Sequence, residues 1–125
     1  MNTEFVKIIP VLSSADIDRD VKWYKEKTGF EVSFSHGTMY AGLYREGLEI
    51  HLQWHAGSKE DPLSGGAVIR IEVKNIRPLF EEFKQRGTIK EKDFRESTPW
   101  GTNEFAFHDL NSNAIFISED IETNK

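Results

Sequence analysis

Ile9-Pro10-Val11-Leu12-Ser13-Ser14-Ala15-Asp16-Ile17 returns further along the chain as Val68-Ile69-Arg70-Ile71-Glu72-Val73-Lys74-Asn75-Ile76, at a constant offset of 59 residues. In both copies a short apolar run reads as a strand, and an Asp or Asn then stands where a helix N-cap belongs. The residues that follow have helical period. Ile17, Val21 and Tyr24 fall at i, i+4 and i+7; Ile76, Leu79, Phe80 and Phe83 fall at i, i+3, i+4 and i+7, with Pro78 in the first turn. Gly29 and Gly87 close the two helices. Each helix should bury one face on a sheet.

Outward from this repeat, strand-like apolar runs occur at 6–12, 30–34, 39–44, 48–54, 68–73, 104–108 and 114–118, bounded by Gly, Asn, Ser or Pro. The hairpin around Arg45-Glu46-Gly47 has its counterpart around Asp109 to Asn113. The expected fold class is α+β: two tandem βαβββ modules, with curved mixed sheets and the helices on their outer face. Module 1 spans about 5–56 and module 2 about 67–120, joined by a Gly-, Ser- and Pro-containing linker at 57–66, all within one domain of 125 residues. A module of that size buries too little surface to stand alone, so its sheet must be completed by a second copy. Two such curved sheets side by side form a cup, which lies at a dimer interface if the modules come from different chains.

Composition narrows what the cup can do. The chain has no cysteine, which removes disulfide scaffolds, thiolate zinc sites and cysteine nucleophiles. Sixteen basic against 21 acidic residues give a formal charge of −5, so a nucleic-acid backbone is not the expected partner. The first seven residues, Met1 to Lys7, lack a basic segment followed by an apolar one, and no run approaches the length of a membrane span. A cytoplasmic location, with no membrane partner, is the expectation.

The set Ile9-Pro10-Val11-Leu12, Asp16-Ile17-Asp18, Trp23-Tyr24, Gly29-Phe30, the Gly-rich linker, Trp100-Gly101 and Phe107-His108-Asp109-Leu110-Asn111-Ser112-Asn113 resembles the vicinal oxygen chelate superfamily, and within it the bleomycin resistance protein branch. The likeness spans nearly the whole chain and rests on the order and spacing of the motifs together. Enzymes of that superfamily hold a divalent ion in the cup, and the resemblance puts their ligand positions on Ile9, His51, Val68 and Phe116. Three of the four are hydrocarbon, whereas a divalent ion needs several converging oxygen or nitrogen donors. No metal, cofactor or catalytic residue is therefore expected.

An apolar floor suits flat organic rings. Phe34, Trp54, Trp100 and Phe105 are candidate ligand contacts, with Tyr40 in the same aromatic supply, and Phe116 belongs to the floor. Trp100, between Pro99 and Gly101, is poorly explained by packing alone. His51 shares a strand face with Glu49 and Gln53, and these three could orient a ligand; Arg70 either pairs with a carboxylate in the cup or meets an acidic ligand. The function expected is a homodimeric, metal-free binding protein that sequesters a bulky, planar, cationic drug or metabolite. The alternative is a divalent-metal-dependent lyase or dioxygenase of the glyoxalase type, built on His51 and an acidic partner.

Overall fold

The computed structural model describes residues 2–55 and 66–121, and the expected linker, Gly66 apart, lies outside the described residues. The first copy of the repeat folds as β1 (Val11–Ser14), α1 (Ile17–Thr28), β2 (Glu31–His36), β3 (Tyr40–Arg45) and β4 (Leu48–Trp54). The second gives β5 (Val68–Glu72), α2 (Ile76–Gln85), β6 (Thr102–His108) and β7 (Ala114–Asp120). Two mixed sheets result, ordered β1-β4-β3-β2 and β5-β7-β6. In each, the strand before the helix runs parallel to the last strand, and the hairpin pairs are antiparallel. The repeat in sequence is thus a repeat in topology. The fold class expected from the sequence is the one observed.

Three local details differ from expectation. The run expected from residue 6 pairs only from Val11, because Pro10 has no N–H to give to a ladder. Residues 2–10 lie in no strand, with Phe5 92% and Ile8 95% exposed. The strand expected after α2 shrinks to a single bridge, Arg95 opposite Glu104; its sequence carries Pro99 and no sustained apolar alternation. Helix α2 is not capped by Asn75, which sits at φ 61° without a side-chain bond; Glu119 Oε1, reaching from β7, accepts the Ile76 N–H at 3.0 Å instead. Helix α1 follows the simpler rule. Asp16 accepts the Arg19 N–H at 3.0 Å, and Gly29 leaves the helix in the left-handed region.

The helix-covered faces of the two sheets share one core. Phe83 touches both Phe105 and Phe107, and Trp23 of α1 reaches Phe107. Alternation along β4 sends Ile50 and Leu52 into this core, and β6 sends Phe105 and Phe107. The opposite faces, carrying Glu49, His51 and Gln53 on one sheet and Arg70 and Glu104 on the other, are left for other contacts.

Polar clamps close the seam between the halves. The Asp109 carboxylate accepts from the Tyr24 hydroxyl at 2.6 Å, from the backbone N–H groups of Asn111 and Asn113, and from the Asn113 side chain, which also donates to the Ser13 carbonyl. On the other flank, the Arg45 guanidinium grips Glu82 through two hydrogen bonds of 2.7 and 2.8 Å, and Arg86 adds a third. Arg45 first, and then Arg86, hold the Glu82 carboxyl down at about 2 against the opposing effect of burial. A folded pKa below the ordinary value of about 4.3 means stability that is present above that value and lost as pH falls towards 2. Glu82→Gln is therefore expected to cost about 1 kcal/mol at pH 7, a figure reduced for its partial exposure. Its melting temperature should also fall less than that of the wild type between pH 5 and pH 2. Parallel acid limbs in thermal melts would contradict this.

Candidate functional site

On the open face of the first sheet, register places His51 of β4 beside Gly42 of β3 and Val11 of β1. Its ring is held from both ends: Nε2 lies 2.7 Å from Glu49 Oε2, and Nδ1 lies 2.7 Å from the Tyr40 hydroxyl. Lys7, and next His51, hold the Glu49 carboxyl below its usual range. Because an ionised Glu49 only accepts, His51 Nε2 donates to it, while Nδ1 shares the second hydrogen bond with the Tyr40 hydroxyl. Phe34 completes the cluster, stacked on Tyr40 and edge-on to His51 at 5.2 Å.

Phe34 can lie there because residue 42 is glycine. A Cβ on Gly42 would stand 2.2 Å from the Phe34 ring, so the strand surface beneath the ring must be bare. Gly42→Ala is expected to drive the ring off the face at a cost of about 1–3 kcal/mol and to weaken ligand binding. Combined with Phe34→Ala, the glycine substitution should cost little more than Phe34→Ala alone. Additive losses in melting would refute the contact.

The second sheet carries a different cluster. Glu104, on β6, is 1% exposed. Its Oε1 accepts from the Thr102 hydroxyl at 2.6 Å, the Arg70 guanidinium at 2.9 Å and the Trp100 indole N–H at 3.0 Å. Burial acts to raise this carboxyl, but the bonds from Thr102, Trp100 and Arg70 together outweigh it and hold the pKa below the usual range. Arg70 also lies over the Phe116 ring at 5.0 Å, and Arg95 over the Trp100 ring at 5.2 Å. Of the two roles open to Arg70, pairing with a carboxylate is the one observed. Trp100 itself is 55% exposed, so a large ring pinned by its N–H still offers surface.

The candidates thus fall into two groups, Phe34, Glu49 and His51 on one sheet and Arg70, Trp100 and Phe116 on the other. Glu49 and Arg70 border a common groove of about 370 Å³. Gln53 is exposed and follows His51 on the same face by alternation. Two candidates are misplaced. Phe105 is 0% exposed and packs on Phe80 and Phe83, because alternation gives the open face to Glu104 and Ala106 and turns Phe105 inward. Trp54 alternates with Ile50 and Leu52 and so leaves the face that His51 uses, at the end of its strand. Glu104 and Arg95 were not anticipated, although the core character of Phe105 and Phe107 would have assigned Glu104 to the open face. A further groove, of about 510 Å³, lies elsewhere, on the seam between Phe30, Leu48, Ile71, Leu79 and Phe83.

The four positions on which the resemblance places the metal ligands of superfamily enzymes do not fit an ion. Ile9, Val68 and Phe116 bring no donor atom, and both nitrogens of His51 are engaged by Glu49 and Tyr40. Among the described residues no three His, Asp or Glu side chains are grouped to hold an ion. No helix among them is long and apolar enough to cross a membrane.

A model of the Glyoxalase/Bleomycin resistance protein/Dioxygenase superfamily matches residues 8–116. The chain is 27% identical to the bleomycin resistance protein of Geobacillus stearothermophilus, over 92% of this chain and 97% of that one. Its fold is similar to the crystal structure of a bleomycin resistance determinant encoded on the transposon Tn5 (TM-score 0.75, 20% identity, covering 93% of this chain and 98% of that one). It is also similar to the bleomycin-binding protein of Streptomyces verticillus complexed with copper(II)-bleomycin (TM-score 0.71, 21% identity, covering 97% and 99%).

Proposed function

Because the chain belongs to the glyoxalase/bleomycin resistance protein/dioxygenase superfamily, we propose that it is a small-molecule binding protein of the bleomycin-resistance type. It takes a bulky, planar, cationic ligand such as bleomycin into a cleft closed by a second copy of the chain, in the cytoplasm, without a resident metal and without altering the ligand. The observation that carries this reading is the side chains at Ile9, Val68 and Phe116, which put hydrocarbon where a catalytic ion would need donors. Three further features support it.

Phe34, Tyr40, Trp100 and Phe116 lie on or beside the open faces as stacking surfaces, each group set against a carboxylate, Glu49 or Glu104. Aromatic faces beside carboxylates favour flat cations over flat anions. Among the described residues, strands β1 and β5 each keep one unpaired edge, and Phe5, Val6 and Ile8 stand out from the chain in no strand. A second copy covering these edges would bring the open face of one chain's first sheet beside that of its partner's second sheet. Sequestration then works by mass action and requires affinity and a stoichiometric amount of protein, not stabilisation of a transition state.

Titrating bleomycin into the full-length protein while following tryptophan emission, with light scattering to give the mass in solution, tests the reading. A saturable change with one ligand per protomer of a dimer is expected. Unchanged emission through millimolar bleomycin, with the protein folded, would overturn it.

A further inference from the structure

Among the described residues one buried side-chain atom has no hydrogen-bond partner, Glu104 Oε2. The imbalance within this carboxylate is pronounced. Oε1 accepts from Thr102, Arg70 and Trp100, while Oε2 accepts from nothing. An ionised oxygen that is kept from water and left unpaired is unfavourable, and native folds rarely retain one without a use.

The nearest cation is Arg95, whose Nη1 stops 4.0 Å from Oε2, beyond hydrogen-bonding distance. Its guanidinium instead lies over the Trp100 ring, with the side chain 55% exposed. Arg95 therefore covers both the free oxygen and the ring face without bonding to the oxygen. Arg70 is different, being tied to Oε1 at 2.9 Å and seated on Phe116. Of the two guanidinium groups, Arg95 is the one that can leave at little cost.

Resting on the binding reading above, we infer that Arg95 is a placeholder: a flat, cationic, hydrogen-bond-donating group of the ligand, of the amidinium or guanidinium class, displaces it from the Trp100 ring and donates to Glu104 Oε2. The exchange keeps the local charge unchanged and gives the buried oxygen the partner it lacks. An anionic group held by Arg95 would be brought up against Oε2 and repelled, so the site selects the sign of its ligand.

Three probes that share one ring system separate the possibilities: 4-phenylbenzamidinium, the neutral biphenyl-4-carboxamide and the anionic biphenyl-4-carboxylate, each titrated calorimetrically into the full chain. The amidinium is expected to bind about tenfold more tightly than the amide, and the carboxylate most weakly. Glu104→Gln should abolish that preference. Arg95→Gln, at an exposed position where folding is not at risk, should tighten amidinium binding several-fold by removing the competitor.

Equal binding of the three probes, binding of none, a preference for the carboxylate, or weaker amidinium binding in Arg95→Gln would each overturn the inference. Any of these alongside intact bleomycin binding rejects the placeholder alone. Loss of bleomycin binding rejects the reading on which it rests.

Discussion

Replacing Trp100 by alanine is expected to weaken ligand binding by about a hundredfold while leaving the melting temperature within a few degrees of the wild type. The asymmetry follows from where the ring sits. It is 55% exposed, so the chain gains little from its burial, yet its N–H is fixed on Glu104 Oε1 at 3.0 Å, so the plane is already oriented when a ligand arrives. A pre-oriented aromatic ring forfeits little rotamer entropy on binding, and truncating such an anchor commonly costs about 2–4 kcal/mol of affinity. Trp100→Phe separates the two contributions. It retains a stacking surface but has no N–H for Glu104, so it should fall between the wild type and the alanine variant. Calorimetric titration beside a thermal melt checks this, and a large fall in melting temperature with unchanged affinity would make Trp100 a packing residue instead.

The largest effect on stability is expected at Asp109. Asp109→Ala removes the acceptor for the Tyr24 hydroxyl, the backbone N–H groups of Asn111 and Asn113, and the Asn113 side-chain amide, in a seam where all but the Asn111 donor are buried. Each donor left unpaired there costs on the order of 1–3 kcal/mol, with some relief from relaxation. The sum should be about 3–5 kcal/mol, which in a chain of this length lowers the melting temperature by about 10–20 °C. Burial, and after it the Asp109 charge, push the Tyr24 phenol well above its usual range, which favours the hydroxyl as a donor. Tyr24→Phe deletes one donor and leaves the carboxylate three partners; it should cost less than half as much. Calorimetric melts of the two variants decide the matter, and an Asp109→Ala protein melting within 3 °C of the wild type would show that the seam is held by packing alone.

These two residues also mark how far the sequence could be read. The fold was legible because it rests on period and repetition. The 59-residue offset, the apolar spacing of Ile17-Val21-Tyr24 and Ile76-Phe80-Phe83, and the paired helix-closing glycines are local signals that survive in one chain. The exposure of one large ring was legible. Trp100 between Pro99 and Gly101 has no place in a regular element, and it lies exposed. What escaped was tertiary. Which strand face Phe105 and Trp54 occupy depends on counting alternation from a fixed core residue, and a one-residue error reverses every assignment.

The roles of Glu104 and Arg95 escaped for another reason. Their meaning comes from a convergence of Arg70, Trp100 and Thr102 that local sequence does not encode. Asn75 shows the same limit on a smaller scale: it has the residue type of a helix cap, but Glu119, 43 residues beyond Ile76, provides the bond. Asp109 stands within the run Phe107 to Asn113, yet its partnership with Tyr24 spans 85 residues and is a property of the folded seam.

On the proposed reading, the ligand is held through stacking and charge, with no metal supplied by the protein. The direct test is to dialyse the protein against EDTA, titrate it calorimetrically with metal-free bleomycin, and weigh the recovered ligand by mass spectrometry. Full binding of one ligand per protomer and a recovered mass identical to the starting mass are expected. Binding that returns only when Zn, Ni, Mn or Fe is restored, or a ligand that comes back chemically altered, would contradict it.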